Sequence, residues 1–416
     1  MRTETNGIGS IMALGELWLE LLFDDPVIRG GREDVICSPA GLWLALAAMQ
    51  ACADGATREE LRGVVGPVGA EHVAGCELGR GGAFIAATRL LSRLPVRPEF
   101  RMPWSGFAAA AGFGAGVGVG HPGPDSPHDL HQWVLRSRNG PLDHAAAGVD
   151  PAPGALLVNA VALEAEWEQP FDPYFTREFP FTDAQGVTHH VPAMVGELPV
   201  EDAWTVTRPH GRVTVVELRA RARGGAAEPT AQPVRVRFAL SENREVPPAA
   251  VIAASWAPAA RGREVRGSRG SRHPEAVLLE LPRHSLAGHV DVTPHLAALG
   301  VERLFSPSAE LPRMFAEPVH CDRALQSCLI QIGEEGMRSK AAADDTEDPD
   351  RANRMYFDGP GQLLRTVPVR LDRPFAVSVL DESGTIPLLG GYQAGPPVYP
   401  QAAHRTATGP QNGRSR

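Results

Sequence analysis

Nucleophiles and metal ligands are the residues that would mark an enzyme, and their spacing here argues against one. The five cysteines, Cys37, Cys52, Cys76, Cys321 and Cys328, form no C-x-x-C pair. That points to free, mostly buried thiols rather than a disulfide framework or a zinc site. His189–His190 and His320–Cys321 are neighbours in sequence, a spacing that does not put two ligands on one helix face. No metal and no cofactor is expected. Ser38 follows Cys37 but lacks the G-x-S-x-G turn of a hydrolase serine, and before Pro39 it suits a helix N-cap. Alternate glycines run from Gly112 to Gly120, yet Val117 stands where a dinucleotide loop needs its third glycine, and no helix pattern follows. A P-loop needs a Gly-Lys pair, and the only lysine, Lys340, follows Ser339. The chain is expected not to be an enzyme.

These residues sit in a chain of 416, of which 43% are apolar and 21% charged, long enough for one large domain with a sizeable core. A net charge of −9 argues against nucleic acid as a partner. The Arg-rich stretch 257–273 reads as a solvated loop, a polyanion patch being the lesser alternative. No segment is long enough to span a membrane, so no membrane association is expected. The polar first residues lack the basic-then-apolar order of a signal peptide, so a cytoplasmic location and a flexible N-terminus over 1–12 are expected.

Periodicity predicts an amphipathic helix over 13–23 and a short strand over 34–38. Ser38 and Pro39 then open a helix over 42–53 that is apolar on every side and so belongs in the interior. Thr57 and Glu60 predict a capping box for the next helix. Residues 129–138 and 294–299 read as helices, and 156–163, 213–218, 234–240, 277–281 and 374–380 as strands. The elements are interspersed without β-α-β alternation, which favours an α+β fold. The residues after Pro396, 397–416, read as a disordered tail.

Several segments, taken in order, resemble the serpins. Residues 34–39 (DVICSP), 44–47 (LALA) and 53–57 (ADGAT) are similar to the family's strand, buried helix and following turn. Trp133–Val134 with Asn139–Gly140 come next. The run 157–160 (LVNA), with Trp167, Pro170–Phe171, Thr176, Phe179, Phe181 and Met194, is the most specific. Leu281–Pro282–Arg283 with Leu299–Gly300–Val301 and Phe305, then Glu334–Glu335–Gly336, and lastly 372–375 (DRPF) with Gly384–Thr385–Ile386 and 388–390 (LLG) complete the set. The resemblance spans 13–396 and implies one serpin domain: three β-sheets surrounded by about eight or nine helices, with an exposed reactive-centre loop over about 337–367. It implies an inhibitor of serine, or cysteine, proteases that acts as a suicide substrate, with the target protease as partner and the monomer as the expected state. Family members are often extracellular. Within the family, Ser38, Gly41, Asn159 and Gln326 fall in the region under the strands that part, where Gly41 and Gln326 replace the usual Ser and His. Trp167 falls at the breach where opening begins.

The resemblance makes Glu334, Glu335 and Gly336 the hinge of the loop. A strand alternates its faces. If the insert begins at Gly336, then Met337, Ser339, Ala341 and Ala343 face inward, while Arg338, Lys340 and Ala342 face out. The inner set is small or apolar, but Asp345 would also fall on it, and burying an unpaired carboxylate is costly. Counting from the hinge places the cleaved bond near Asp350–Arg351. Counting back from Pro374 places it near Leu363, Leu364 and Arg365. Asp345 and the replacements at 41 and 326 leave a second reading, a non-inhibitory serpin-fold protein that binds or stores a ligand.

Overall fold

The computed structural model describes residues 7–26, 28, 32–67, 83–92, 94, 97, 118–120, 154–222, 233–259, 262–264, 276–338 and 366–399. In chain order its elements are α1 (Gly7–Asp24), β1 (Val35–Cys37), α2 (Pro39–Cys52), α3 (Gly55–Val65), β2 (Phe84–Ser92), β3 (Gly118–Gly120), β4 (Ala155–Leu163), β5 (Ala165–Trp167), β6 (Arg177–Thr182), β7 (Thr188–Pro199), β8 (Ala203–Arg208) and β9 (Gly211–Ala222). There follow β10 (Pro233–Ser241), α4 (Pro248–Trp256), β11 (Arg263–Glu264), β12 (Ala276–Pro282), β13 (His284–Asp291), α5 (Thr293–Ala298), β14 (Cys321–Gly333), β15 (Gly336–Arg338), β16 (Thr366–Arg370), β17 (Phe375–Leu380) and β18 (Pro387–Gln393). No described helix is long and apolar enough to cross a membrane.

The described strands form two hydrogen-bonded networks. One of 14 strands runs β1-β18-β17-β10-β9-β5-β15-β14-β4-β2-β3, with β13 on the other edge of β14 and β8 on β9. The second runs β16-β12-β7-β6. Two of the expected sheets are joined because β5 continues the chain of β4 but pairs with β9, Trp167 opposite Ala220. Five α-helices lie among the described residues. The helix expected over 129–138 falls outside them.

The interior is built on α2. Ser38 accepts a hydrogen bond from the Gly41 N–H at 2.9 Å, Pro39 fills the first turn, and every residue from Pro39 to Gln50 is buried. Trp43 is fully enclosed, as are Trp18 of α1 and Trp256 of α4. Each such indole removes upwards of about 150 Å² from water. α2 lies under β2, β4 and β18, so the large sheet rests on an apolar cylinder.

Three local expectations differ from what is found. Helix α1 begins at Gly7, inside the stretch expected to be flexible. The capping box at Thr57 does not form. The helix starts at Gly55, and the Glu310 carboxylate caps it from outside, accepting from the Ala56 N–H at 2.6 Å. Glu60 instead accepts the N–H groups of Glu302 and Arg303. A distant carboxylate that meets two exposed N–H groups outcompetes a local side chain that must bend back. Finally, residues 397–399 are not a loose tail, since Val398 O accepts the Ser285 N–H at 2.9 Å.

Candidate functional site

β14 is the strand on which the site is built. One edge carries β13. The other meets two partners in succession: β4, parallel, from Cys321 to Leu329, and then β15, antiparallel, from Gln331 to Gly333. β15 is the chain of β14 itself, turned back through Glu334 and Glu335. It lies between β14 and β5, with Gly336 opposite Glu166 and Met337 opposite Ala165. The seam between β4 and β14 is thus closed along most of its length and already occupied by a third strand at its upper end.

Steric demand fixes the start of that strand. Gly336 has φ +147°, and a Cβ there would lie 2.1 Å from the Ala165 carbonyl oxygen, so no other residue fits the turn. Met337 is 1% exposed and faces the core. The turn is held from β5 and the segment after it: Trp167 N–H bonds Glu335 O at 2.9 Å, Phe171 N–H bonds Glu334 O at 2.9 Å, and Trp167 Nε1 bonds Gly333 O at 2.9 Å. The Glu334 carboxylate receives Arg283 Nε at 2.6 Å and Thr176 Oγ1 at 2.6 Å.

Lower down, the seam is sealed by neutral side chains. Gln326 of β14 donates through Nε2 to Asn159 Oδ1 of β4 at 2.9 Å and to Ser38 O at 3.0 Å, and its Oε1 accepts the Ser38 N–H at 2.8 Å. Asn159 Nδ2 donates to Thr88 Oγ1 of β2 at 3.0 Å, and Ser38 Oγ donates to Leu388 O at 2.5 Å. Gly41 borders the network without a side chain. A Cβ there would fall 2.5 Å from Val161 Cγ2 and 2.7 Å from Asn159 Oδ1, so the close approach of α2 to β4 depends on glycine. All four polar side chains are buried, and a buried polar group left unpaired costs about 1–3 kcal/mol.

The far end of the same chain segment is anchored on the small network. β16 pairs in parallel with β12, Arg370 opposite Glu280. The buried Glu280 carboxylate receives Arg370 Nε at 2.5 Å and also the Arg177 guanidinium. Both anchors therefore draw on the same two stretches, Thr176–Arg177 and Glu280–Arg283.

Burial sets the protonation of the groups around the seam. Desolvation pushes the thiols of Cys37 and Cys321 up to about 12 and raises Cys52 and Cys328 well above their usual range, so they remain neutral. His284, boxed in by Phe238 and Phe375, is driven down to about 4 by desolvation, against a smaller opposing effect of its hydrogen bond to Pro282 O. No cluster of three or more His, Cys, Asp or Glu able to hold a metal occurs among the described residues.

The structure therefore brings together Ser38, Gly41, Asn159 and Gln326, and separately Trp167, Glu334, Glu335, Gly336 and Met337. Ser339, Ala341, Ala342, Ala343, Asp350, Arg351, Leu363, Leu364 and Arg365 lie outside the described residues. Nothing in the sequence distinguishes Thr88. Thr176 and Arg283 fall in motifs of the serpin resemblance, which assigns them no role.

A family profile described as Serpin (serine protease inhibitor) matches residues 123–394. The chain belongs to the serpin family. Among curated relatives, the serpin is 25% identical over 219 residues to glia-derived nexin of Mus musculus, covering 51% of each chain. It is 24% identical over 350 residues to mouse neuroserpin, covering 76% of this chain and 78% of that one. The chain spans about half the length of the nexin it matches. Solved structures extend the likeness of fold to nearly the whole serpin. Serpin48 of the insect Tenebrio molitor superposes with TM-score 0.69 at 20% identity, covering 95% of this chain and 99% of that one. Native protease nexin-1 with heparin gives 0.67 at 18%, covering 94% and 100%.

Proposed function

We propose that this serpin inhibits proteases as a suicide substrate, its cleaved loop entering the seam between β4 and β14 as a new strand. The observation that carries the reading is β15. The first residues after the hinge are paired on both edges, with Met337 in the core, so the loop needs only to lengthen a strand already begun. Strand addition is an established mode of recognition, and serpin loops are themselves a known instance of it. Each added residue gains about one net hydrogen bond of roughly 1 kcal/mol. Some ten residues then give on the order of 10 kcal/mol, comparable with a domain's whole stability.

The covalent step belongs to the protease. Its serine or cysteine attacks the loop carbonyl, the peptide bond breaks, the acyl group passes to the protease oxygen or sulfur, and the proton goes to the leaving amine. The serpin supplies no catalytic group. Its contribution is to carry the acyl-enzyme away faster than water can release it. Counting from the hinge favours a cleaved bond near Asp350–Arg351, with Asp350 or Arg351 on the acyl side, since the inserted length sets how far the protease is carried. An Arg on the acyl side suits a trypsin-like or subtilisin-like target; Asp350 suits an acid-preferring one. The reading takes the serpin to act as a monomer.

The test is a denaturing gel after incubation with a panel of serine and cysteine proteases. A band at the summed mass that survives SDS is expected. Ser339→Glu, which puts a charge on the inner face, should abolish that band while cleavage continues, and Arg338→Glu should not. Cleavage of wild type without any such band would overturn the reading in favour of a binding or storage module.

A further inference from the structure

The chain does not come loose where the last strand ends. Beyond β18 it is tied down three times. Asp34 Oδ1 accepts the N–H groups of Ala394 at 2.7 Å and Gly395 at 2.8 Å. Val398 O accepts the Ser285 N–H at 2.9 Å, so the segment lies along the edge of β13 away from β14. Tyr399 then reaches over to Gly333. A Cβ placed on that glycine would stand 3.0 Å from Tyr399 Oη and 3.3 Å from its Cζ. Gly333 is the last residue of β14. Its carbonyl holds Trp167 Nε1, and its pairing partner is Gly336. The tyrosine is therefore packed on the pivot about which the chain turns into β15.

We propose that Val398 and Tyr399 form a strap that braces the hinge turn in its half-entered position, making Tyr399 a positioning residue for loop insertion. The inference rests on the insertion mechanism above. A strand can be lengthened from β15 only while β15 is seated between β14 and β5. The turn keeps the same pairing, Gly333 to Gly336, before and during that lengthening, so a brace on Gly333 costs nothing as the loop enters. What it does is raise the fraction of time the insert's first residues are seated. That fraction sets how often insertion outruns hydrolysis of the acyl-enzyme, because the effective rate of a step scales with the population competent for it.

The test combines Tyr399→Ala, Gly333→Ala and the double variant with two readouts. The first is hydrogen exchange at the amides of Gly336, Met337 and Arg338 in the uncut protein, with Tyr399→Phe as the conservative control. Tyr399→Ala should speed exchange about tenfold, one contact of about 1.4 kcal/mol; Tyr399→Phe should recover most of the protection. Gly333→Ala should speed exchange when Tyr399 is present, because the methyl displaces the ring, and add nothing when Tyr399 is already gone. The second readout is the amount of serpin consumed per protease trapped, which should rise in Tyr399→Ala while the melting temperature of the uncut protein holds. Unchanged exchange in Tyr399→Ala, equal effects of Gly333→Ala in both backgrounds, or faster exchange with unaltered consumption would each overturn the strap. Should wild type trap no protease at all, the inhibitory reading fails by itself, and the exchange data still decide whether the strap braces the hinge.

Discussion

The upper and middle parts of one seam are closed by opposite means. At the top, β15 stands between β14 and β5, and besides backbone bonds and the buried Met337 its turn is held through a carboxylate: Arg283 and Thr176 on Glu334, with Arg283 and Glu334 only partly shielded from water. In the middle nothing stands between β4 and β14, and the closure is neutral and dry, made of Gln326, Asn159, Ser38 and Thr88. Partly exposed ion pairs exchange readily with water and contribute little net stability. A buried amide network gives up its bonds only if something replaces them. On the proposed mechanism, the comparison teaches that the upper end is where the strand has already begun, and that Asn159 and Gln326 are the bonds its lengthening must replace.

The largest effect that would sharpen this contrast is a cut in the loop. A nick within 339–365 should raise the melting temperature by about 10 °C or more, an entered strand of some 10 kcal/mol against the unfolding entropy of a chain this long. Scanning calorimetry of intact and nicked protein decides it, and no rise would mean that the middle of the seam never opens.

Next comes Gly336→Ala. With a Cβ driven against a backbone oxygen, β15 must leave, and the top should come to resemble an empty groove. The uncut fold should persist, while the gain in melting temperature on nicking should be lost. Retention of that gain would show that insertion does not start at the hinge.

The third effect separates the two regions by pH. His284 sits on β13 next to Arg283, and its folded value of about 4 lies below the usual 6.5. The unfolded chain therefore binds the extra proton between those values. Stability from this group is complete above about 6.5 and falls with acidification until about 4, a loss of roughly 3 kcal/mol. The amides and hydroxyls of the middle do not titrate. Denaturant unfolding from pH 7 to 4 should show the slope in wild type and a flatter one in His284→Phe. An equal slope in both would assign the acid sensitivity elsewhere.

The smallest of the four is Asn159→Ala. It strips Gln326 Nε2 and Thr88 Oγ1 of a partner and should cost about 1–3 kcal/mol in the uncut state. It should cost less once the seam is filled by the loop. Equal destabilisation of intact and nicked protein would show that Asn159 is a core residue and not a latch.

How much of this could be read beforehand follows the range of the interactions. The all-apolar helix α2 with its Ser38 cap, and strands β4, β9, β10, β12 and β17, are set by local pattern and were legible within a few residues. Met337, expected on the inner face of the insert, is buried. β13 and β14 were not legible, because His284–Asp291 mixes polar and small residues and Cys321–Gly333 is buried on both faces over most of its length, which leaves no period of two to detect. Glu310 capping α3 and Tyr399 on Gly333 join residues far apart in sequence, and no local rule anticipates them. Thr88 is one ordinary residue in a strand whose partner across the sheet happens to be Asn159.

The anchoring of β16 carries one more consequence. Arg370 and Glu280 fasten the far end of the loop to the small network while Gly336 fastens the near end to the large one. On the proposed mechanism the uncut loop is a line made fast at both ends, and the insert cannot lengthen far without tearing β16 from its mooring. The molecule then reports the integrity of a single peptide bond. It answers the first protease that cuts there, by a change with no route back, and so behaves as a fuse: each copy fires once, and the number of copies, rather than their affinity, fixes how much protease can be silenced.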